Sequence, residues 1–166
     1  MAAYNDFVTQ NASSVKANVD VSARSVGAPV KKVAFSFEKA AGDINGSIWR
    51  VARISPFAKI LSFKLATDAI AGLTDLDIGF YKVSDVSVAT AIDKDCIKDG
   101  LDPHAGQTAL VEMYVPDLAN IGKEAYLIAG VTAADAKKYG AFDVALTGNI
   151  AGTATGTIAG ILEYVE

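Results

Sequence analysis

From Lys32 onward, apolar and polar residues alternate with a period of two in one short segment after another, the signature of half-buried β-strands. In VAFSF (33–37), Val33, Phe35 and Phe37 share a face. GDIN (42–45) reads as a turn, and SIWRVARI (47–54) is rich in β-branched residues and carries the only Trp. SPF (55–57) turns the chain again. KILSFKLAT (59–67) sets Leu61, Phe63 and Leu65 on one face, with Ser62 and Lys64 on the other. TDLDIGFYKV (74–83) groups Leu76, Ile78 and Phe80 opposite Asp75 and Asp77. The pattern lapses over DKDCIKDGLDPHAGQT (93–108), which reads as a long loop or two turns, and LVEMYV (110–115) reads as a further strand. After Pro116, Leu118, Ile121, Ala125 and Ile128 fall at helical spacing, with Asp117 as N-cap. TAADAKKYG (132–140) predicts a second helical turn, capped by Thr132 and stopped by Gly140. AFDVALTG (141–148) alternates once more, and TGTIAGILEYV (155–165) is a last strand with apolar residues on both faces.

Seven or eight short strands with one or two short helices predict a mainly β fold, an antiparallel β-sandwich. A doubly wound α/β fold would need helices between most strands. Residues 1–30 differ from the rest: they are rich in Asn, Ser, Ala and Val, and over their length the small apolar residues keep no sustained period. They read as an extended N-terminal arm with at most a short strand, either frayed or ordered against a neighbouring subunit. The division is therefore an arm, 1–30, and a sandwich domain, 31–166.

The glycines of GNIAGTATGTIAG (148–160) recur every fourth residue, a spacing with three readings. A phosphate loop needs Lys-Ser/Thr after its last glycine, or G-x-G-x-x-G opening a helix, and neither is present. No Lys or Arg follows Lys138. A membrane helix with stacked small residues would have to absorb about 1 kcal/mol of lost helix propensity per glycine, and basic anchors are missing from both flanks. A C-terminal hairpin with a small-residue loop accounts for the most, because glycine and alanine let backbones approach closely.

Composition narrows the function. The 166 residues carry a net charge of −4 and no basic run, which disfavours nucleic-acid binding through phosphate neutralisation. One cysteine, Cys96, rules out an intramolecular disulfide. MAAYNDFVTQNASS lacks the basic head and apolar run of a secretory signal. Candidate chemistry is sparse. Cys96 and the lone His104 have no spacing that supports a nucleophilic pair, and together they cannot supply a zinc ligand set. Asp93, Asp95, Asp99 and Asp102 suggest a calcium loop, but Ile97 and Lys98 stand where an EF-hand needs an oxygen ligand and a glycine. Asp75 and Asp77 offer a carboxylate pair of the glycosidase type, and equally a solvated strand face. Trp49, Phe57, Tyr81, Tyr114, Tyr126, Tyr139 and Tyr164 could line a sugar-binding face or belong to the core. No catalytic, cofactor or metal residue is assigned, and no enzymatic activity is expected.

Residues 43–83, DINGSIWRVARISPFAKILSFKLATDAIAGLTDLDIGFYKV, resemble a segment of the head decoration, or cement, proteins of tailed bacteriophages. The matching positions are Gly46, Ser47, Arg50, Asp68, Ala69, Ile70, Thr74, Asp75, Asp77, Gly79 and Tyr81, with Leu73 where the pattern has glycine. FDVALTGNIAGTATGTI (142–158) resembles the closing hairpin of that family. The resemblance implies a jelly-roll-like antiparallel β-sandwich that forms homotrimers on the outer surface of the capsid. It implies a capsid-stabilising virion protein that clamps neighbouring major capsid proteins and is made in the bacterial host cytoplasm. Its partners would be the major capsid protein and itself, without direct nucleic acid or membrane contact. A virion-associated carbohydrate-binding or host-adsorption module is the alternative.

Overall fold

The computed structural model describes residues 4–5, 29–83 and 90–166. Apart from Tyr4–Asn5 and residues 29–30, the predicted N-terminal arm lies outside the described residues. The elements in chain order are β1 (Tyr4–Asn5), β2 (Lys31–Lys39), β3 (Ser47–Ile54), β4 (Lys59–Thr67), β5 (Asp75–Lys82), β6 (Ala91–Leu101) and β7 (Gln107–Glu112). Two short helices follow, α1 (Ala125–Ile128) and α2 (Ala133–Tyr139), then β8 (Phe142–Ile150) and β9 (Gly156–Val165).

Two sheets form the sandwich. One has the order β1-β3-β8-β5-β6 and the other β2-β9-β4-β7. All described pairings are antiparallel except β1 with β3, where Tyr4 and Asn5 lie beside Ile48 and Trp49. The long strands nest: β2 pairs with β9, β3 with β8, β4 with β7 and β5 with β6. Double-sheet jelly rolls are built from eight strands in two Greek keys, and this nesting is compatible with that construction. The inward faces carry the apolar half of each alternating pattern: Phe35 and Phe37, Trp49, Phe63 and Leu65, Leu76, Ile78 and Phe80, Val144 and Leu146, Ile158 and Leu162. Phe37 of one sheet stacks on Trp49 of the other at 5.7 Å between centroids, a ring contact beyond simple area burial.

Four expectations are corrected. The polar stretch 93–108 is not a long loop: most of it forms β6 and the start of β7. Strand β6 ends its sheet, and its pairing with β5 slips between Leu76 and Ile78, between Ile78 and Phe80, and between Phe80 and Tyr81. Each slip moves side chains to the other face, so no simple alternation survives in the sequence. The helix expected after Pro116 shrinks to the four residues of α1. Gly122 at φ 70° interrupts it, and Leu118 and Ile121 do not enter the core. In β4, the irregularity between Ile60 and Ser62 puts Ile60 inside and leaves Leu61 half-exposed, against the expected face.

The fourth correction concerns the glycine run. Strands β8 and β9 are not a hairpin, because they belong to different sheets and the connection 151–155 crosses between them. The corner is held by hydrogen bonds from upstream residues. Ala151 N donates to Asn45 Oδ1 at 3.0 Å, and Lys39 Nζ donates to Gly152 O and Ala154 O at 3.3 and 3.1 Å. Gly152 sits at φ 60°, and a Cβ there would lie 2.4 Å from the Gly72 carbonyl carbon, so only glycine lets these two turns touch. Further on, a Cβ at Gly160 would meet Phe35 Cζ at 2.4 Å and Lys64 O at 2.6 Å. The spacing of four therefore reflects local packing, not helix geometry. Among the described residues, no helix is long and apolar enough to cross a membrane. The predicted helix at 132–140 matches α2: Thr132 Oγ1 accepts from Asp135 N at 3.1 Å, and Gly140 ends it at φ 71°.

Candidate interaction surface

The sequence offers the outward face of β5 as either a pair of carboxylates or a solvated acidic face. Asp77 is buried instead, at 1% exposure. Its Oδ2 accepts from Asn149 Nδ2 at 2.6 Å and lies 3.1 Å from Lys94 Nζ, while Oδ1 accepts from Gly100 N at 3.0 Å. Asn149 also donates to Asp75 Oδ1 at 3.1 Å and accepts from Lys94 Nζ at 2.7 Å. Burial, the largest single influence, pushes the Asp77 carboxyl up. The hydrogen bonds from Asn149, Gly100 and Lys94 together outweigh it and hold the group below the ordinary range. An ionised, fully bonded carboxylate beside a lysine locks strands together; it is not poised to take or give a proton.

Of the four clustered acids, the structure brings Asp95 and Asp99 to within 4.8 Å of each other and of Asp77. Asp93 instead accepts from Asp95 N and, through its carbonyl, from Cys96 Sγ, and Asp102 Oδ1 accepts from His104 N. Cys96 and His104 make separate contacts: His104 Nδ1 accepts from Gly72 N at 3.3 Å. Burial, aided by the charge of Asp93, raises the Cys96 thiol far above its usual range, so it rests as an inert thiol. The aromatic set does not form a platform. Trp49, Tyr81, Tyr114 and Tyr164 are buried, and Phe57, the most open of the seven, packs against Tyr126 at 5.4 Å.

Two buried polar features carry no strong signal in the sequence. Asp143, fully buried on β8, accepts from Arg53 Nε at 2.8 Å and Nη2 at 3.3 Å, with Arg50 Nε 3.4 Å away on the same strand as Arg53. Lys39 is fully buried at the end of β2, its ammonium held by the carbonyls of Ala40, Gly152 and Ala154. The only hint was position: Lys39 and Asp143 fall at strand ends next to turns that must be pinned. The motif residues serve the same end. Ser47 Oγ accepts from Ile44 N, Asp68 Oδ2 accepts from Thr157 N, and the Tyr81 hydroxyl meets Thr147 Oγ1 at 2.5 Å.

What the surface does offer is apolar. In the connection between β7 and α1, Val115, Leu118 and Ile121 are 78%, 94% and 62% exposed. The turn that displays Leu118 and Ile121 is well made: Asp117 Oδ1 accepts from Asn120 N at 2.8 Å, and Asp117 O accepts from Ile121 N at 3.1 Å. Single exposed aliphatics are ordinary, but three in one short connection suit a protein contact. Beside Val115 a shallow cleft of about 460 Å³ runs between β6 and β7, with Ile97 and Met113 in its wall and Asp95, Lys98 and Asp99 around it.

No protein-family model and no curated protein matches the chain. Its fold is similar to that of a chain in the capsid of Ralstonia phage GP4, with a TM-score of 0.60 and 17% identity over 84% of this chain and 86% of that one. It is also similar to a chain in the capsid asymmetric unit of cyanophage Pam1, with a TM-score of 0.57 and 16% identity over 95% of this chain and 99% of that one. The fold is thus one found in phage capsids.

Proposed function

We propose that this chain is a structural virion protein that binds the outer surface of a phage capsid as trimers and stabilises the head by clamping neighbouring major capsid proteins. The observation that carries this reading is the pair of fold neighbours, both chains of phage capsids, each matched over most of its length. The arrangement of polar groups supports it. Asp77, Asp143, Lys39, Lys94 and Cys96 are each tied into contacts that hold strands and corners. The exposed aliphatics Val115, Leu118 and Ile121 are suited to contact with the shell. A trimer that touches several capsomers adds many modest contacts into one strong attachment. The aromatic burial described above does not favour the carbohydrate-binding alternative.

The test is co-sedimentation of the purified protein with source-phage heads that lack it, counting bound copies at saturation. Saturation in multiples of three, with heads then more resistant to heat, is expected. Leu118→Glu should leave the melting temperature of the free protein unchanged and weaken the binding by tenfold or more. Absence of saturable binding to heads overturns the reading.

A further inference from the structure

The four long strands at the sheet margins are defended unequally. Strand β2 carries exposed Lys31, Lys32 and Glu38. Strand β3 is already met by β1. Strand β6 bears Asp93, Lys94, Asp95, Lys98 and Asp99 and slips repeatedly against β5. Charges and irregularities of this kind keep sheet edges from pairing with other chains. Strand β7 lacks the charges: Thr108, Ala109, Leu110 and Val111 are all exposed. Glu112, its one acid, turns inward, its carboxylate taken by Ser62 Oγ and Phe63 N. An uncharged, exposed edge strand is a template for one more strand.

The sequence also carries a further segment of strand pattern. The N-terminal arm as a whole keeps no period, but residues 15–23, VKANVDVSA, alternate strictly, with Val15, Ala17, Val19, Val21 and Ala23 set against Lys16, Asn18, Asp20 and Ser22. We infer that residues 15–23 of one copy add as a strand to the free edge of β7 in a neighbouring copy. This deepens the trimer of the proposed function and rests on that reading.

The anchoring of the arm favours a neighbour's β7 over the chain's own. Residues 6–28 run between Asn5, beside β3, and Pro29, just before β2. The cleft between β6 and β7 and the Phe37–Trp49 stack place β2 and β3 on one side of the sandwich and β6 and β7 on the other. Both ends of the arm are therefore tied on the side away from β7. The chain's own β7 lies three strand spacings, roughly 14 Å, across the sheet. A neighbour that presents its β7 side to β2 and β3 meets the arm without such a crossing. Fully extended, the 23 residues span about 75 Å, ample for an excursion to a neighbour and back. Donor and acceptor lie on opposite sides of each copy, so the contact is head-to-tail, and such contacts close into rings when the rotation allows.

The test mixes two full-length variants in a Cys96→Ala background, one with Val19→Cys and one with Leu110→Cys, and oxidises them. A disulfide between the two different chains is expected, and the double variant should give a ladder ending at three chains. A cross-link only within single chains, or none at all, overturns the inference. As a second measurement, Leu110→Lys, which charges the edge, should convert the assembly to monomers in sedimentation while the circular dichroism of the sandwich is kept. An unchanged assembly overturns it. Head binding is read separately. Binding in threes without the inter-chain disulfide would keep the proposed function and end this inference, whereas the disulfide without head binding would do the reverse.

Discussion

Gly79 tests whether close backbone packing, rather than side-chain chemistry, explains the Asp-x-Gly strand. It lies in the middle of β5, where β6 crosses so closely that a Cβ would sit 2.2 Å from Asp93 O and 2.4 Å from the Lys94 carbonyl carbon. Ordinary contact begins at 3.4 Å, so Gly79→Ala leaves the two strands about 1.2 Å too close. The obstacle is backbone, which cannot rotate away as a side-chain tip can. Strand β6 must lift, and it carries Lys94 away from Asp77 and Asn149 and Gly100 N away from Asp77 Oδ1. Overpacking a tight site costs about 1–3 kcal/mol, and each lost hydrogen bond adds roughly 0.5–1.5 kcal/mol. A loss of about 4 kcal/mol is expected, which for a chain of this size lowers the melting temperature by roughly 8–16 °C. Gly42→Ala is the control, because a Cβ there meets nothing within 4 Å. The assay is urea denaturation of both variants, with hydrogen exchange to show that β6 loosens first. A Gly79→Ala protein within about 0.5 kcal/mol of the parent would refute the argument.

Two further outcomes follow from the buried polar groups. Lys39→Met keeps the length of the side chain but leaves the carbonyls of Ala40, Gly152 and Ala154 without their donor. Thermal denaturation should show a loss of about 2–4 kcal/mol, since each unsatisfied carbonyl costs about 1–3 kcal/mol unless water reaches it. Asp77, whose carboxyl titrates below its unfolded value of 3.8, contributes stability that is present above that value and lost as pH falls through the lower, folded one. Denaturant titrations from pH 7 down should show stability falling below about pH 4, with a shallower fall in Asp77→Asn.

The alternating pattern by itself determined most of the strands: β3 and β4 occupy the predicted segments 47–54 and 59–67, and β2, β5, β8 and β9 differ from expectation by a few residues at their ends. It also determined the core face of β5, because a period of two records which side of a strand is apolar wherever pairing is regular. The cap and stop of α2 were legible for the same reason, being local hydrogen bonds and a local φ. Tertiary structure decided what depends on distant partners. Asp77 becomes buried only when Asn149, 72 residues away, folds against it, and nothing near either residue records that meeting. Strand β6 is not legible in the sequence because its slips against β5 scramble the alternation that marks other strands. The C-terminal glycines looked like a hairpin because strand, turn and strand are local properties, whereas the choice of sheet is not. It rests on chain far upstream: β2 and β4, which pair with β9, and the corner contacts of Lys39, Asn45 and Gly72.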